Sequence, residues 1–161
     1  MAYSDERGLP VSIVRLFNTV GPRQVGHYGM VLPRFVEAAL SDQPLRVFGT
    51  GQQTRCFCHV LDIVDALPKV IASPDCRGTV LNIGSAEPVS IESLAAKVIA
   101  HANSASTIEH IPYDKAYAPG FEDPQRRQPD LSRARNAIGF EARRSLDTII
   151  ADVIAWMESS G

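Results

Sequence analysis

The stretch "VSIVRLFN", Val11 to Asn18, constrains the fold of this chain more than any other. Val11, Ile13, Val14, Leu16 and Phe17 make a nearly unbroken apolar run. A strand with one wet face alternates apolar and polar residues, whereas a near-continuous run suits a parallel strand covered on both faces. Parallel neighbours need crossover connections, usually helical, so one such strand already asks for an α/β fold. The run passes into "NTVGPR", a polar loop punctuated by Gly21 and Pro22. In α/β proteins, loops beyond the C-terminal ends of strands are where ligands bind. The strand also comes before any element that could cover its two faces. The chain therefore reads as the trailing portion of a longer sheet protein.

The remaining pattern alternates helix and strand. "GMVLPRFVEAALSDQP" carries Val31, Phe35 and Ala39 at helical spacing, with Pro33 tolerable only near the first turn. "LRVFG" is a short strand, "TGQQT" a turn, and "RCFCHVL" a second, alternating strand. Asp62 is expected to cap a helix with an apolar stripe at Ile63, Leu67, Val70 and Ile71. "GTVLNIG" is another short buried strand. Ser90 caps a helix apolar at Leu94, Ala95, Val98 and Ile99, and a strand spans Ile108 to Ile111. After the long polar loop "YDKAYAPGFEDPQRRQPD", Asp130 is expected to cap a short helix ended by Gly139. Ser145 caps the last, which is apolar at Leu146, Ile149, Ile150, Val153 and Met157.

Composition excludes several function classes. Sixteen basic and 18 acidic residues among 161 leave a formal net charge of −2, which argues against electrostatically driven nucleic-acid or membrane-surface binding. No apolar run approaches the ~20 residues that span a bilayer. "MAYSDERGLP" has neither a basic n-region nor an apolar h-region, so a soluble cytoplasmic protein is expected. The three cysteines, Cys56, Cys58 and Cys76, form no disulfide framework. In "CFCH" the thiols alternate along a strand, and no second Cys/His pair follows at ligand spacing, so buried thiols are expected rather than a metal site.

Polar residues at element ends are the candidates for chemistry. Asn18 can donate and accept, which suits sugar hydroxyls or phosphate oxygens, and it equally suits a turn. Arg55, entering a strand after a glycine turn, can fork onto phosphate oxygens or pair with a surface carboxylate. Arg126 and Arg127, preceded by Glu122 and Asp123, sit in a loop long enough to hold ligand contacts, or to be simply a solvated charged loop. Asn82 ends a strand, where capping competes with ligand binding. Phe48 can stack on a flat base or join the core.

Taken in order, "GLPVSIVRLFNTVGPRQ", "MVLPRFVEAALSDQPLRVFGTGQQTRCFCHVLDIVDAL", "LNIGS" and "FEDPQRRQPDLSRARNAIGF" resemble the C-terminal half of the extended short-chain dehydrogenase/reductase family, with its NAD-dependent sugar-nucleotide epimerases, dehydratases and UDP-glucuronate decarboxylases. The resemblance implies the C-terminal part of an extended Rossmann-type protein: trailing sheet strands plus a small mixed substrate-binding subdomain. Residues 1–161 would form one such portion, without the N-terminal NAD-binding portion. It implies that Phe17 lies near the nicotinamide and that Asn18 bonds the sugar or its diphosphate. Met30 and Val31 would sit beside the nucleotide, Arg46 and Phe48 would form a platform for the base, and Asn82 would join the site. Arg55 and Arg127, with Arg126 as second choice, would grip the diphosphate. Relatives often carry that loop arginine further upstream, where this chain reads "APGFED".

Two family features do not occur in these residues. No glycine-rich turn follows a first strand and opens a helix, and "GTGQQT" lies between two short strands. Tyr3 and Arg7 share the spacing of the family's Tyr-x-x-x-Lys pair but sit too close to Gly8, and arginine substitutes poorly for the lysine. No catalytic residue is assigned, and NAD is not expected to bind this chain alone. The expected function is the substrate half of a UDP-sugar 4-epimerase, then of a decarboxylase. The alternatives are a non-catalytic nucleotide-sugar-binding or assembly module that pairs with an NAD-domain partner chain, and a folded remnant without ligand. An exposed sheet edge at residues 10–17 would favour self-association in each case.

Overall fold

A computed structural model describes residues 6–24, 26, 30–116 and 123–160, so Tyr3 lies outside the described residues. The apolar run forms β1 (Ser12–Leu16), and after a break at Asn18 the chain continues as β2 (Thr19–Val20). Then come α1 (Val31–Leu40), β3 (Leu45–Phe48), β4 (Thr54–Cys56), β5 (Cys58–His59) and α2 (Val60–Ala72). β6 (Thr79–Ile83), β7 (Pro88–Ser90), α3 (Ile91–His101) and β8 (Ile108–Ile111) follow. The polar loop contributes α4 (Tyr113–Ala116) and β9 (Arg126–Arg127), and α5 (Ser132–Ile138) and α6 (Leu146–Ser160) close the chain. The fold is α/β, as expected.

Among the described residues three two-stranded sheets are parallel: β1 with β6, β2 with β5, and β3 with β8. A fourth sheet has the order β7-β4-β9, antiparallel on one side of β4 and parallel on the other. The expected strand "VSIVRLFN" ends before Asn18, whose φ of 35° is left-handed, and the stretch expected to be a loop after it contributes the short β2. The expected strand "RCFCHVL" is split at Phe57, and its last two residues open α2. The cause is one residue. Asn18 Nδ2 donates to the Cys56 carbonyl at 2.9 Å while its own carbonyl accepts from Cys58 N at 3.1 Å, so both chains change partner at the same level.

The strand expected to be covered on both faces is not. Val14 packs beneath α2 and α5, and β6 supplies the fully buried Leu81 and Ile83 on that side, but Ile13 and Leu16 are 37% and 52% exposed. The apolar run has only one neighbouring strand among the described residues, β6.

Local signals behaved unevenly. Ser90 and Ser145 accept from the backbone N–H groups of Ser93 and Thr148, three residues on, as helix caps do. Gly139 ends α5 at φ 62°, a conformation that costs glycine little. Asp130 misses its expected position by one residue: it accepts from Ser132 N, but Leu131 holds the cap position. Asp62 is not a cap. His59 takes that place, its Nδ1 accepting from Leu61 N at 3.0 Å. Asp62 instead lies buried in the first turn and accepts from Arg143 N, Arg144 N and the Arg144 guanidinium. The stripe on α2 is also rotated: Ile63, Ala66 and Val70 are buried, whereas Leu67 and Ile71 face solvent.

Two apolar clusters result. One gathers α1, β3, α3 and α6 around the fully buried Leu32, Val36, Leu45, Leu94 and Ile149. The other gathers β6, α2 and α5 around Leu81, Ile83 and Phe140. Among the described residues no helix is long and apolar enough to cross a membrane.

Asp62 joins α2 to the turn before α6, and removing it strands two main-chain N–H groups and a guanidinium. Asp62→Ala should therefore lower unfolding stability by about 2–4 kcal/mol in urea titration. Asp62→Asn, which keeps an acceptor, should cost less.

Candidate functional site

The break at Asn18 opens a cavity of about 570 Å³ between the end of β2, the first turns of α1, and strands β3 and β4. Seven expected site residues line it: Asn18, Met30, Val31, Arg46, Phe48, Arg55 and Arg127. Phe35 and Phe57 extend its apolar wall. A mostly apolar hollow with a few converging polar groups is the usual form of a small-molecule site, and this volume suits a ligand of nucleotide size.

Strand register brings the cations together. β9 runs parallel to β4 with Arg55 opposite Arg127, and both side chains line the cavity. Thr54 is opposite Arg126, which occupies the alternate position and bonds Gln128 Oε1 through Nε at 3.1 Å. Period-two alternation thus separates the two loop arginines, Arg127 towards the cavity and Arg126 away from it. Arg55 is 11% exposed and firmly held. Its NH1 donates to the carbonyls of Thr54 and Pro124, each at 2.8 Å, and its NH2 pairs with Asp123 Oδ1. Asp123 Oδ2 also accepts from the Tyr113 hydroxyl at 3.3 Å.

The other candidates have visible duties. Asn18 is the turn former described above and faces the cavity as well. Arg46 lies opposite Glu109 across β3 and β8 at 3.6 Å, a pair exposed enough to add little stability. Asn82, Phe17 and Arg126 do not line the cavity. Asn82 Nδ2 donates to the Asp130 carbonyl at 3.0 Å and anchors the entry to α5. Phe17 crosses closely over Gly84, where an added Cβ would approach the Phe17 Cβ to 2.8 Å.

Sequence reasoning passed over Thr19, Gln24 and Gln53, and named Asp123 only as a neighbour of the loop arginines. Gln53 is buried beneath Phe48 and donates to that residue's carbonyl at 3.1 Å. Gln24 Nε2 donates to the Thr19 carbonyl at 3.2 Å, which directs its oxygen the other way. Gln24 Oε1 and Thr19 Oγ1 are buried and have no hydrogen-bond partner among the described residues, and both residues line the cavity. Leaving such groups unmet costs about 1–3 kcal/mol each. The clue in the sequence was "GPRQ", a glutamine placed just beyond the ligand-facing loop.

The cysteines are buried thiols, as expected. All three are free, with no measurable exposure. Burial raises the pKa of Cys56, and pushes that of Cys58 up to about 12 with help from the nearby Asp62 carboxylate. Among the described residues no group of three His, Cys, Asp or Glu could hold a metal ion.

The family model for the NAD dependent epimerase/dehydratase family matches residues 1–84, just over half of the chain. The chain belongs to that family. Among curated relatives, the UDP-N-acetyl-alpha-D-glucosaminuronate decarboxylase of Bacillus cytotoxicus is 40% identical over 93% of this chain and 47% of its own length. UDP-glucuronic acid decarboxylase 1 of Danio rerio is 34% identical over 87% of this chain and 32% of its own. Among solved structures, UDP-glucuronic acid 4-epimerase of Bacillus cereus, in complex with UDP-glucuronic acid and NAD, superposes with a TM-score of 0.86. It is 25% identical, over 99% of this chain and 49% of that one. An epimerase of Methanothermobacter thermautotrophicus reaches a TM-score of 0.90 at 22% identity, covering 99% of this chain and 46% of that one, and shows the shared fold. The chain thus spans about a third to a half of the curated relatives it matches.

Solved relatives hold NAD, and the glycine-rich strand–turn–helix that cradles a dinucleotide's phosphates does not occur in the 161-residue sequence.

The thiols offer a simple check on the packing of the core. A thiol-specific disulfide reagent should titrate none of Cys56, Cys58 and Cys76 in the folded protein at neutral pH, and all three in denaturant.

Proposed function

We propose that these residues form the substrate-binding half of an NAD-dependent UDP-sugar enzyme, 4-epimerase-like in its chemistry. One observation carries the reading. Arg55 and Arg127 stand side by side on paired strands, facing one cavity whose opposite wall is apolar. Two guanidiniums match the two negative charges of a diphosphate diester and can bond its oxygens bidentately. Phe48 and Arg46 flank the place for a flat base, and Val31 and Phe35 offer apolar cover. Asn18, Thr19 and Gln24 then meet the sugar, the buried Gln24 oxygen accepting a hydrogen bond from a hydroxyl. A decarboxylase is the second reading, favoured by the 40% identity to the Bacillus cytotoxicus enzyme.

The hydride acceptor and the general base belong to the NAD-binding half, whether on the same polypeptide or on another. Two features support such a neighbour. β1 has an open edge with Ile13 and Leu16 exposed, and Leu61, Val64, Leu67 and Ile71 run along α2 in contact with water. A sheet edge and an apolar helix stripe of that kind invite association. These 161 residues alone are therefore expected not to turn over a UDP-sugar in the presence of NAD.

Calorimetric titration tests the reading. UDP should bind, NAD should not, and Arg55→Ala should weaken UDP binding about 10- to 100-fold, the loss of charge-assisted hydrogen bonds. Failure of UDP to bind, or equal binding by the variant, would reject it. Comparing UDP-glucose with UDP-glucuronic acid separates the two readings of the sugar.

A further inference from the structure

Asp123 touches the phosphate-facing arginine yet has no place in the substrate contacts assigned above. Its Oδ1 pairs with Arg55 NH2, and its Oδ2 accepts from the hydroxyl of Tyr113. Tyr113 is itself closely packed. Its ring lies over Gly49, at φ +69°, where an added Cβ would come within 2.2 Å of Tyr113 Cε2. The carboxylate is thus held from two sides at the rim of the cavity it lines.

A carboxylate beside a binding arginine has two possible duties: to orient the guanidinium, or to occupy it. Orientation is already provided. The Thr54 and Pro124 carbonyls hold NH1 at 2.8 Å each, and neither bond involves Asp123. What Asp123 adds is charge. With its carboxylate in place, Arg55 and Arg127 present a net single positive charge to the cavity; without it they present two. A diphosphate diester carries two negative charges, and an arginine nitrogen engaged by one anion is not available to another at full strength.

We propose that Asp123 is an internal competitor for Arg55, a carboxylate that occupies the phosphate-binding nitrogen until a nucleotide diphosphate displaces it. The exchange is a change of hydrogen-bond partner with no covalent step. Arg55 NH2 passes from Asp123 Oδ1 to a phosphate oxygen, and Asp123 keeps its bond from Tyr113. The consequence is selectivity. Weak monoanions do not repay the broken pair, whereas a dianionic diphosphate does, because it meets both arginines. The inference rests on the reading of the cavity as a nucleotide-diphosphate site.

The test is a double-mutant cycle on this chain with UDP as the probe, followed by calorimetry and, for weak binders, ligand-observed NMR. Asp123→Asn keeps the size of the side chain and its acceptor for Tyr113 but removes the charge. It should bind UDP about tenfold more tightly, because one charge-assisted bond no longer has to be broken. In the Arg55→Ala background the same change should bring little or no gain, since no Arg55 remains to be released. Tyr113→Phe, which loosens the carboxylate without touching its charge, should give a smaller gain and guards against a folding defect in the first variant.

Weaker UDP binding by a folded Asp123→Asn variant would overturn the proposal and make Asp123 an orienting or ligand-contacting group. An equal gain with and without Arg55 would overturn it too, reducing the effect to repulsion between like charges. Absence of UDP binding in every variant would reject the reading of the cavity itself, an outcome distinct from both.

Discussion

Asn18 is the constraint on which the rest of the structure turns. A non-glycine residue at φ 35° carries a conformational cost, and here it is offset by two hydrogen bonds to a single distant segment, from Nδ2 to Cys56 O and from Cys58 N to its own carbonyl. Those bonds make two chain segments leave one sheet and enter another at the same height. β1 stays with β6 while β2 goes to β5, and β4 goes to β7 and β9 while β5 returns to β2. A gap between two sheets is the consequence, and that gap is the cavity. The residue whose type suggested ligand binding is thus first a structural hinge, and it faces the cavity because the hinge makes that cavity.

The electrostatics of the cavity follow from the same arrangement. β4 is fixed by its antiparallel partner β7 and by the turn at Asn18, so β9 docks against a firm edge. Parallel register then decides which of two adjacent arginines faces inward. Arg55 is secured by main-chain carbonyls, which leaves its second nitrogen for an anion, and Asp123 takes it. The apolar wall opposite lowers the local dielectric and strengthens these charge interactions relative to water.

Much of the fold was legible because its signals are local. Ser90, Ser145 and Gly139 act within three or four residues of themselves, and hydrophobic periodicity marked the helices. The failures were tertiary. Asp62 looked like a cap because it precedes an apolar stripe, yet His59 caps the helix and Asp62 is drawn inward to Arg143 and Arg144, over 80 residues away. The unbroken apolar run suggested a strand covered on both faces, and among the described residues nothing covers one face and one edge. Periodicity reports that a residue is apolar; it does not report what lies against it.

The sequence by itself determined the class of the fold, most of the order of its elements, and the candidate polar and aromatic residues: an amide, aromatic rings and arginines at the ends of elements. Only the tertiary structure decided which of those residues share one cavity. Arg55 and Asp123 are 68 residues apart, Arg126 and Arg127 are adjacent, and yet Asp123 and Arg127 reach the site while Arg126 does not. Strand pairing between distant segments makes that choice, and a one-residue change of register would have reversed it.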